Sequence, residues 1–320
     1  MMGVGKKIKS FRDILGWLNT EKGDIEEFLG NVIYLEFWDH TNLSSIMALS
    51  FTKRLWEKYA EHGLQVIGVH SPEYEFERYM GNLEEAVERY NIEYPVAQDN
   101  NNSTWLLYGN RYVPRQFVVD KEGVILHENI GQGNEANLEK TIRDALGKDD
   151  EEYGRPLWEK GKREPILLDV SPETYLGSKD IMSVKKYPSY QLANEVVYND
   201  PGEHEMNKVY LNGRWKQFDE FIENDGNSEE YLLYRFYARN VFVVASSYKD
   251  NARFDVYLNG GLVARNFGGK DILWDGDGTS YVQVDFSGLY GLIGGSEFIE
   301  GELKIVPKDV GLQLYVISFT

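Results

Sequence analysis

The sequence predicts two folded parts of different class, an α/β domain over residues 1–148 and an all-β sandwich over residues 176–320. Three observations carry this. The first part interleaves apolar runs of strand length with segments whose apolar residues recur at helical spacing. The second consists of short alternating runs at near-regular intervals, with the tight-hairpin signal Asn259-Gly260 between two of them. Between the two lies the acidic run Asp149-Asp150-Glu151-Glu152, followed by Pro156, Pro165 and Pro172. That tract, residues 149–175, reads as a linker. Its apolar Ile166-Leu167-Leu168 predicts that it packs on the folded parts.

In chain order, residues 10–19 read as a short amphipathic helix. Residues 31–37 are a continuous apolar run, as in a strand buried on both faces. Residues 44–62 carry Ile46, Leu49, Leu55 and Tyr59 at helical spacing. Residues 65–70 form a second apolar run, and residues 82–90 a helix with Leu83, Ala86, Val87 and Tyr90 on one face. Residues 116–119 and 124–128 flank the turn Asp120-Lys121-Glu122-Gly123. Residues 137–146 are a closing helix that stops at Gly147. In the second part, strands are expected over 208–211, 231–238, 241–246, 253–258, 262–267, 280–286, 301–306 and 312–319.

Composition narrows the function. A net charge of −18 repels a phosphate backbone, and no Lys/Arg cluster offsets it, so nucleic acid is not an expected partner. The same charge disfavours an anionic membrane surface. No apolar run approaches the ~20 residues that cross a bilayer, so no membrane insertion is expected. The basic start MMGVGKKIKSFRDI lacks the apolar stretch of a signal peptide. The chain as it stands reads as cytoplasmic, and as extracytoplasmic if it is a piece of a longer exported parent.

The strand Val32-Ile33-Tyr34-Leu35-Glu36-Phe37-Trp38 leads through Asp39-His40-Thr41-Asn42-Leu43-Ser44-Ser45 into a helix. Together with "GWLN", "VIGVHSPEYEFE", "YPVAQDNNNSTWLLYGNRYVPRQFVVDKEGVILHENIGQGN", "SPETYLG", "GRWKQFDEF" and "LLYRFYARNVFVV", this resembles the thioredoxin-like superfamily. Within it the resemblance is to the soluble C-terminal region of DipZ-type thiol–disulfide oxidoreductases. There a thioredoxin-like domain precedes a β-sandwich of jelly-roll, carbohydrate-binding-module-like form. The resemblance implies a C-x-x-C pair at Asn42 and Ser45, yet the chain contains no cysteine. Disulfide exchange needs a thiolate to attack sulfur, and neither an amide nor a hydroxyl can do so. The fold signal and the chemistry disagree.

The resemblance also implies that Pro114 is the cis-proline facing the active site, with Val113 before it where many relatives have an aromatic. Glu36 matches the buried carboxylate that serves the inner thiol, and Trp38 the family's tryptophan. Glu73 and Trp105 lie in motifs expected near the same end of the sheet. Each has a plainer reading. Pro114 shapes a turn, Trp38 and Trp105 pack, and Glu36 is a satisfied structural group or a relic. These eight residues form the expected vestigial active site and peptide groove.

Other chemistry finds little footing. Ser45 lacks a G-x-S-x-G elbow, and His40 as its base lies just before the helix. His40, His62, His70, His127 and His204 are scattered with no H-x-x-x-H pair, so no metal and no cofactor are expected. Asp275-Gly276-Asp277-Gly278 lacks the rest of an EF-hand pattern and reads as an acidic turn. Three functions are expected in this order: a redox-inactive binding or scaffolding protein for a protein or peptide segment, a thiol–disulfide oxidoreductase or thiol-specific antioxidant by homology, and a carbohydrate-binding protein.

Overall fold

The computed structural model describes residues 2–147, 153–157, 170–178, 195–226, 229–249 and 251–320. The chain divides into two units, Met1–Ile166 and Leu167–Thr320. Ile166, Leu167 and Leu168, expected to pack, lie outside the described residues.

The first unit holds β1 (Gly16–Leu18), β2 (Val32–Trp38), α1 (Leu43–Tyr59), β3 (Leu64–His70), α2 (Met80–Arg89), β4 (Val96–Gln98), α3 (Ser103–Tyr108), β5 (Arg115–Val119), β6 (Ile125–Ile130) and α4 (Glu135–Leu146). The sheet order is β1-β4-β3-β2-β5-β6. β2, β3 and β4 run parallel, and β5, β6 and β1 join them antiparallel. This is an α/β thioredoxin-like sheet. β2 is buried along its whole length because both faces are covered. Ile33, Leu35 and Phe37 enter one core with Phe28, Ile67, Val69 and Phe117. The alternate residues face the other way, and there Glu36 meets Thr52 of α1. α4 ends where Gly147 adopts φ +74°, a conformation glycine takes without steric cost.

Residues 10–19 are not a helix. Their main-chain donors go elsewhere: Phe11 N–H to Asp24, Arg12 N–H to Thr104 Oγ1 and Leu15 N–H to the Gln98 carbonyl. The segment lies extended and its end pairs with β4 as β1. Tertiary partners outweigh a weak local helical pattern.

The second unit is all-β and antiparallel: β7 (Thr174–Tyr175), β8 (Glu195–Tyr198), β9 (Val209–Gln217), β10 (Ile222–Asn224), β11 (Tyr231–Ala238), β12 (Val241–Ser247), β13 (Ala252–Leu258), β14 (Gly261–Leu262), β15 (Leu273–Trp274), β16 (Ser280–Val284), β17 (Gly288–Ile293), β18 (Ile299–Pro307) and β19 (Leu312–Phe319). Two layers share β9. Its first half, Val209 to Asn212, pairs with β11 beside β18, β13 and β16. Its second half pairs with β8 and with β10, beside β19, β12 and β17. The strand changes layer at Gly213, which has φ +81° and whose missing Cβ would sit 2.7 Å from Glu230 Cγ. One apolar core fills the sandwich, with Trp215, Tyr234, Phe236, Phe254 and Leu314 among its buried members.

Asn259 and Gly260 both take positive φ and close the β13–β14 hairpin, as expected. The expected strand over 262–267 breaks off after Leu262. Val263 donates its N–H to Ser280 Oγ and accepts from the Trp274 indole, and residues 265–267 form a 3-10 turn. β17, Gly-Leu-Tyr-Gly-Leu-Ile, lies outside the strands expected from the sequence because its glycines interrupt the apolar pattern, although every residue in it is buried.

Candidate functional site

The candidate site lies at the end of the first unit's sheet where β2 and β3 terminate and α1 begins. Trp38 and His70 are register partners at the ends of two parallel strands. On the other flank Phe37 pairs with Arg115, so the Val113-Pro114 loop enters the sheet beside the β2 terminus. The Val113–Pro114 peptide bond is cis. Topology therefore brings Trp38, Asn42, Ser45, Val113 and Pro114 to one end of the sheet.

The turn into α1 is built by side chains. Asp39 Oδ1 accepts the N–H groups of Thr41 (2.6 Å) and Asn42 (3.1 Å) and the Thr41 hydroxyl. This is an Asx turn that ends the strand. Asn42 is then the helix N-cap, its Oδ1 accepting the Ser45 N–H at 3.0 Å. Ser45 is buried, and among the described residues its hydroxyl has no hydrogen-bond partner. Trp38 is buried, its ring near perpendicular to that of His70 with centroids 5.4 Å apart. Gly68 makes room for it, since a Cβ there would lie 2.9 Å from Trp38 Nε1.

Glu36 of β2 is buried. Thr52 Oγ1 donates to its Oε2 at 2.7 Å and Gln116 Nε2 to its Oε1 at 3.2 Å. Asn129 in turn donates to Gln116 Oε1. Burial raises the Glu36 carboxyl to about 7, against the pull of those two hydrogen bonds. Trp105 is half-buried, its ring near perpendicular to that of Phe37, and its main-chain N–H donates to Asp99 Oδ2. Glu73 is exposed, and its main-chain N–H donates to the Glu77 carboxylate. Among the described residues, neither main-chain group of Val113 takes part in a hydrogen bond. Tyr112 beside it is exposed.

The histidines are not all scattered. His40 Nδ1 lies 2.9 Å from His70 Nε2, and Glu77 Oε1 lies 3.5 Å from the first and 3.8 Å from the second. All three side chains are completely buried. Glu77 Oε2 accepts the N–H groups of Glu73 and Tyr74. Burial raises Glu77 to about 7 and lowers His70 to about 4. Asp39 lies against Glu77 and is raised by burial first and by that like charge second. Sequence reasoning took His40 and His70 as scattered and missed that Glu77 and Asp39 join them in one group. The usable signal was position at the ends of neighbouring parallel strands, where residues distant in sequence meet, rather than spacing along one helix.

Elsewhere, the Asp275-to-Gly278 segment is a turn. Thr279 N–H donates to both Asp275 and Asp277, and Arg253 pairs with Asp275.

Residues 3–145 match the Redoxin family, and residues 171–320 match a family described as "Thioredoxin like C-terminal domain". Protein DipZ of Mycobacterium tuberculosis is 31% identical over 240 residues, a stretch longer than either unit. The chain is a cysteine-free, thioredoxin-like relative of DipZ. The alignment takes in 73% of this chain and 34% of DipZ, so the chain spans about a third of that relative's length. Human NHL repeat-containing protein 2 is 27% identical over 217 residues, 65% of this chain and 28% of that one. Thiol-disulfide oxidoreductase ResA of Bacillus thuringiensis is 25% identical over 142 residues, 44% of this chain and 78% of its own. A relationship to thiol–disulfide oxidoreductases therefore stands, without the sulfur. Among the described residues no helix is long and apolar enough to cross a membrane.

Proposed function

We propose that the protein is a redox-inactive binding or scaffolding protein whose thioredoxin-like unit holds an extended segment of a partner polypeptide. The observation that carries this reading is the pairing of a cysteine-free site with an open main-chain edge at Val113. Peptide recognition by strand addition uses main-chain N–H and C=O groups, with side-chain pockets for selectivity. It does not require sulfur, so it outlasts the loss of C-x-x-C. Exposed Tyr112 adds an amphipathic contact beside the edge. The Asn42 side-chain carbonyl is committed to its own helix, leaving its amide for a ligand. Without a mixed disulfide, binding is weak and reversible, on the order of 10–100 μM for a short peptide, or roughly −5.5 to −7 kcal/mol. A peptide-library titration followed by NMR tests it. Shifts confined to residues 38–46 and 111–116 are expected, and a library that moves none of them refutes the reading.

A second reading rests on the β-sandwich. An open cleft of about 540 Å³ is lined by Asn212, Glu229, Tyr231, Tyr257 and Lys304. Aromatic rings beside amide and carboxylate groups suit a sugar, with the rings stacking and the polar groups meeting hydroxyls. Lys304 Nζ already covers one face of Tyr231 at 3.7 Å, which leaves Tyr257 as the stacking surface. A glycan array with the wild type and Tyr257→Ala decides it: signal lost in the variant supports sugar binding, and no signal in either ends it.

A further inference from the structure

We infer that His40, His70 and Glu77 bind a divalent transition-metal ion, of which zinc fits best, as a buried structural staple. This goes beyond the proposed peptide function and does not depend on it. Three donor atoms, His40 Nδ1, His70 Nε2 and Glu77 Oε1, form a triangle with edges of 2.9, 3.5 and 3.8 Å. Donors held about 2.0–2.1 Å from a tetrahedral ion lie roughly 3.3 Å from each other. The observed edges bracket that separation, so an ion enters with shifts of a few tenths of an ångström.

The second observation is the state of Glu77. Its Oε2 is anchored by the Glu73 and Tyr74 N–H groups, at 2.7 and 2.8 Å. Those bonds fix the carboxylate and favour its charged form. Its other oxygen, Oε1, is fully buried, has no hydrogen-bond partner among the described residues, and is the atom nearest both rings. Apart from the Asp39 carboxyl, which can donate to Glu77 only when protonated, that buried oxygen has no fixed donor, and this is costly. A cation at the centre of the triangle supplies its partner. Asp39, whose carboxyl lies against Glu77 but outside the close group of three donors, is the candidate fourth ligand and would have to move in to serve as one.

Donor chemistry selects the ion. Two imidazoles and carboxylate oxygen suit zinc and its neighbours, whereas magnesium and calcium prefer an all-oxygen shell. Complete burial of the three side chains leaves no open coordination position for a substrate, so the ion is structural. The three ligands come from the turn before α1, the end of β3 and the turn that follows β3. One ion would clamp these segments at the end of the sheet where α1 begins. In relatives with C-x-x-C a disulfide closes one turn at this end; here the clamp would join three segments.

The test uses the full chain stripped with a chelator and titrated with Co²⁺ and with Zn²⁺. One equivalent of Co²⁺ should produce visible d–d absorption of four-coordinate intensity, and Zn²⁺ should displace it. Zn²⁺ should also raise the melting temperature up to one equivalent and no further. In NMR, Zn²⁺ should move the ring signals of His40 and His70 while those of His62, His127 and His204 stay fixed. His40→Ala should weaken Co²⁺ binding on the order of 100-fold or more, and His204→Ala should leave it unchanged. Absence of stoichiometric binding by the wild type overturns the inference. So does equal binding by His40→Ala, or a Zn²⁺ response confined to the other histidines. The ring signals of the wild type decide the matter even where His40→Ala fails to fold.

Discussion

Asn42 accepts the Ser45 N–H through its side-chain Oδ1 at 3.0 Å. The two positions that the DipZ resemblance assigns to a disulfide are thus joined by a hydrogen bond that starts a helix. The interaction is local, polar and structural, and it gives the position a role without sulfur.

Asn42→Ala should therefore destabilise the protein. An N-cap side chain replaced by alanine costs about 1 kcal/mol. Asn42→Asp and Asn42→Ser should restore most of that loss, because either oxygen can accept from the Ser45 N–H. Urea unfolding of the three variants checks this, and an alanine variant as stable as the wild type would show that the cap contributes nothing.

Glu36 makes stability depend on pH. Burial holds its folded carboxyl at about 7, against an ordinary 4.5. Folding therefore takes up a proton between those values. The contribution is complete below about 4.5 and is lost as pH rises through about 7. The polar and titratable groups facing Glu36 are Thr52, Gln116, Tyr34 and Tyr94, and none of them changes charge in that window. Glu36→Gln should match the wild type near pH 4 and exceed it at pH 8, by on the order of 3 kcal/mol. Asp39 and Glu77 leave a residual slope of the same sign, and His70, lowered to about 4, leaves one of the opposite sign between about 4 and 6.5; all three are common to variant and wild type. Denaturant unfolding across pH 4–8.5 measures it; parallel curves for variant and wild type would remove Glu36 as the cause.

Much of the fold was legible because its signals are local. Val32 to Trp38 is apolar throughout since both faces of β2 are covered. Asn259-Gly260 specifies its own hairpin. Residues 10–19 misled because their main-chain donors are claimed by Asp24, Thr104 and Gln98, far away in sequence. The candidate site divided along the same line. Pro114 and Asn42 were visible as motif positions. The contact of His40 with His70 and Glu77 was not, because it depends on the parallel register of β2 and β3 and on the turn after β3. The resemblance points to Glu73 as lying in a motif near that end of the sheet, yet it is exposed, and the buried acid is Glu77 four residues on.

Gly213 should resist substitution. Its φ of +81° disfavours any L side chain, and a Cβ would sit 2.7 Å from Glu230 Cγ and 3.1 Å from Glu230 Cα. The second contact is with backbone, which cannot swing aside. Gly213→Ala should cost about 2 kcal/mol or more and lower the melting temperature of the sandwich. Gly260→Ala, with open space around its missing Cβ, should bear only the conformational penalty of about 1 kcal/mol. Equal losses at the two sites would show that the bend in β9 is not sterically fixed.

The wild-type protein should neither reduce insulin nor consume peroxide beyond a buffer control containing dithiothreitol. It has no cysteine, and those reactions begin with a thiolate. Putting cysteine at both positions separates lost chemistry from lost geometry. In Asn42→Cys/Ser45→Cys the first thiol would sit at the N-cap of α1, where the helix N-terminus favours a thiolate. The second would occupy the buried Ser45 position, whose hydroxyl has no hydrogen-bond partner among the described residues, so sulfur costs little there. The variant loses the Asn42 cap, a penalty of about 1 kcal/mol, and still should fold. Under mild oxidant both thiols should become inaccessible to alkylation, with loss of two hydrogens by mass spectrometry and recovery on reduction. The DipZ resemblance matches Glu36 to the carboxylate that serves the inner thiol, so Glu36→Gln in that background should slow thiol exchange. If both thiols stay free under oxidant, the turn from Asp39 to Ser45 does not have a disulfide-forming shape, and adding sulfur alone cannot confer the exchange reaction.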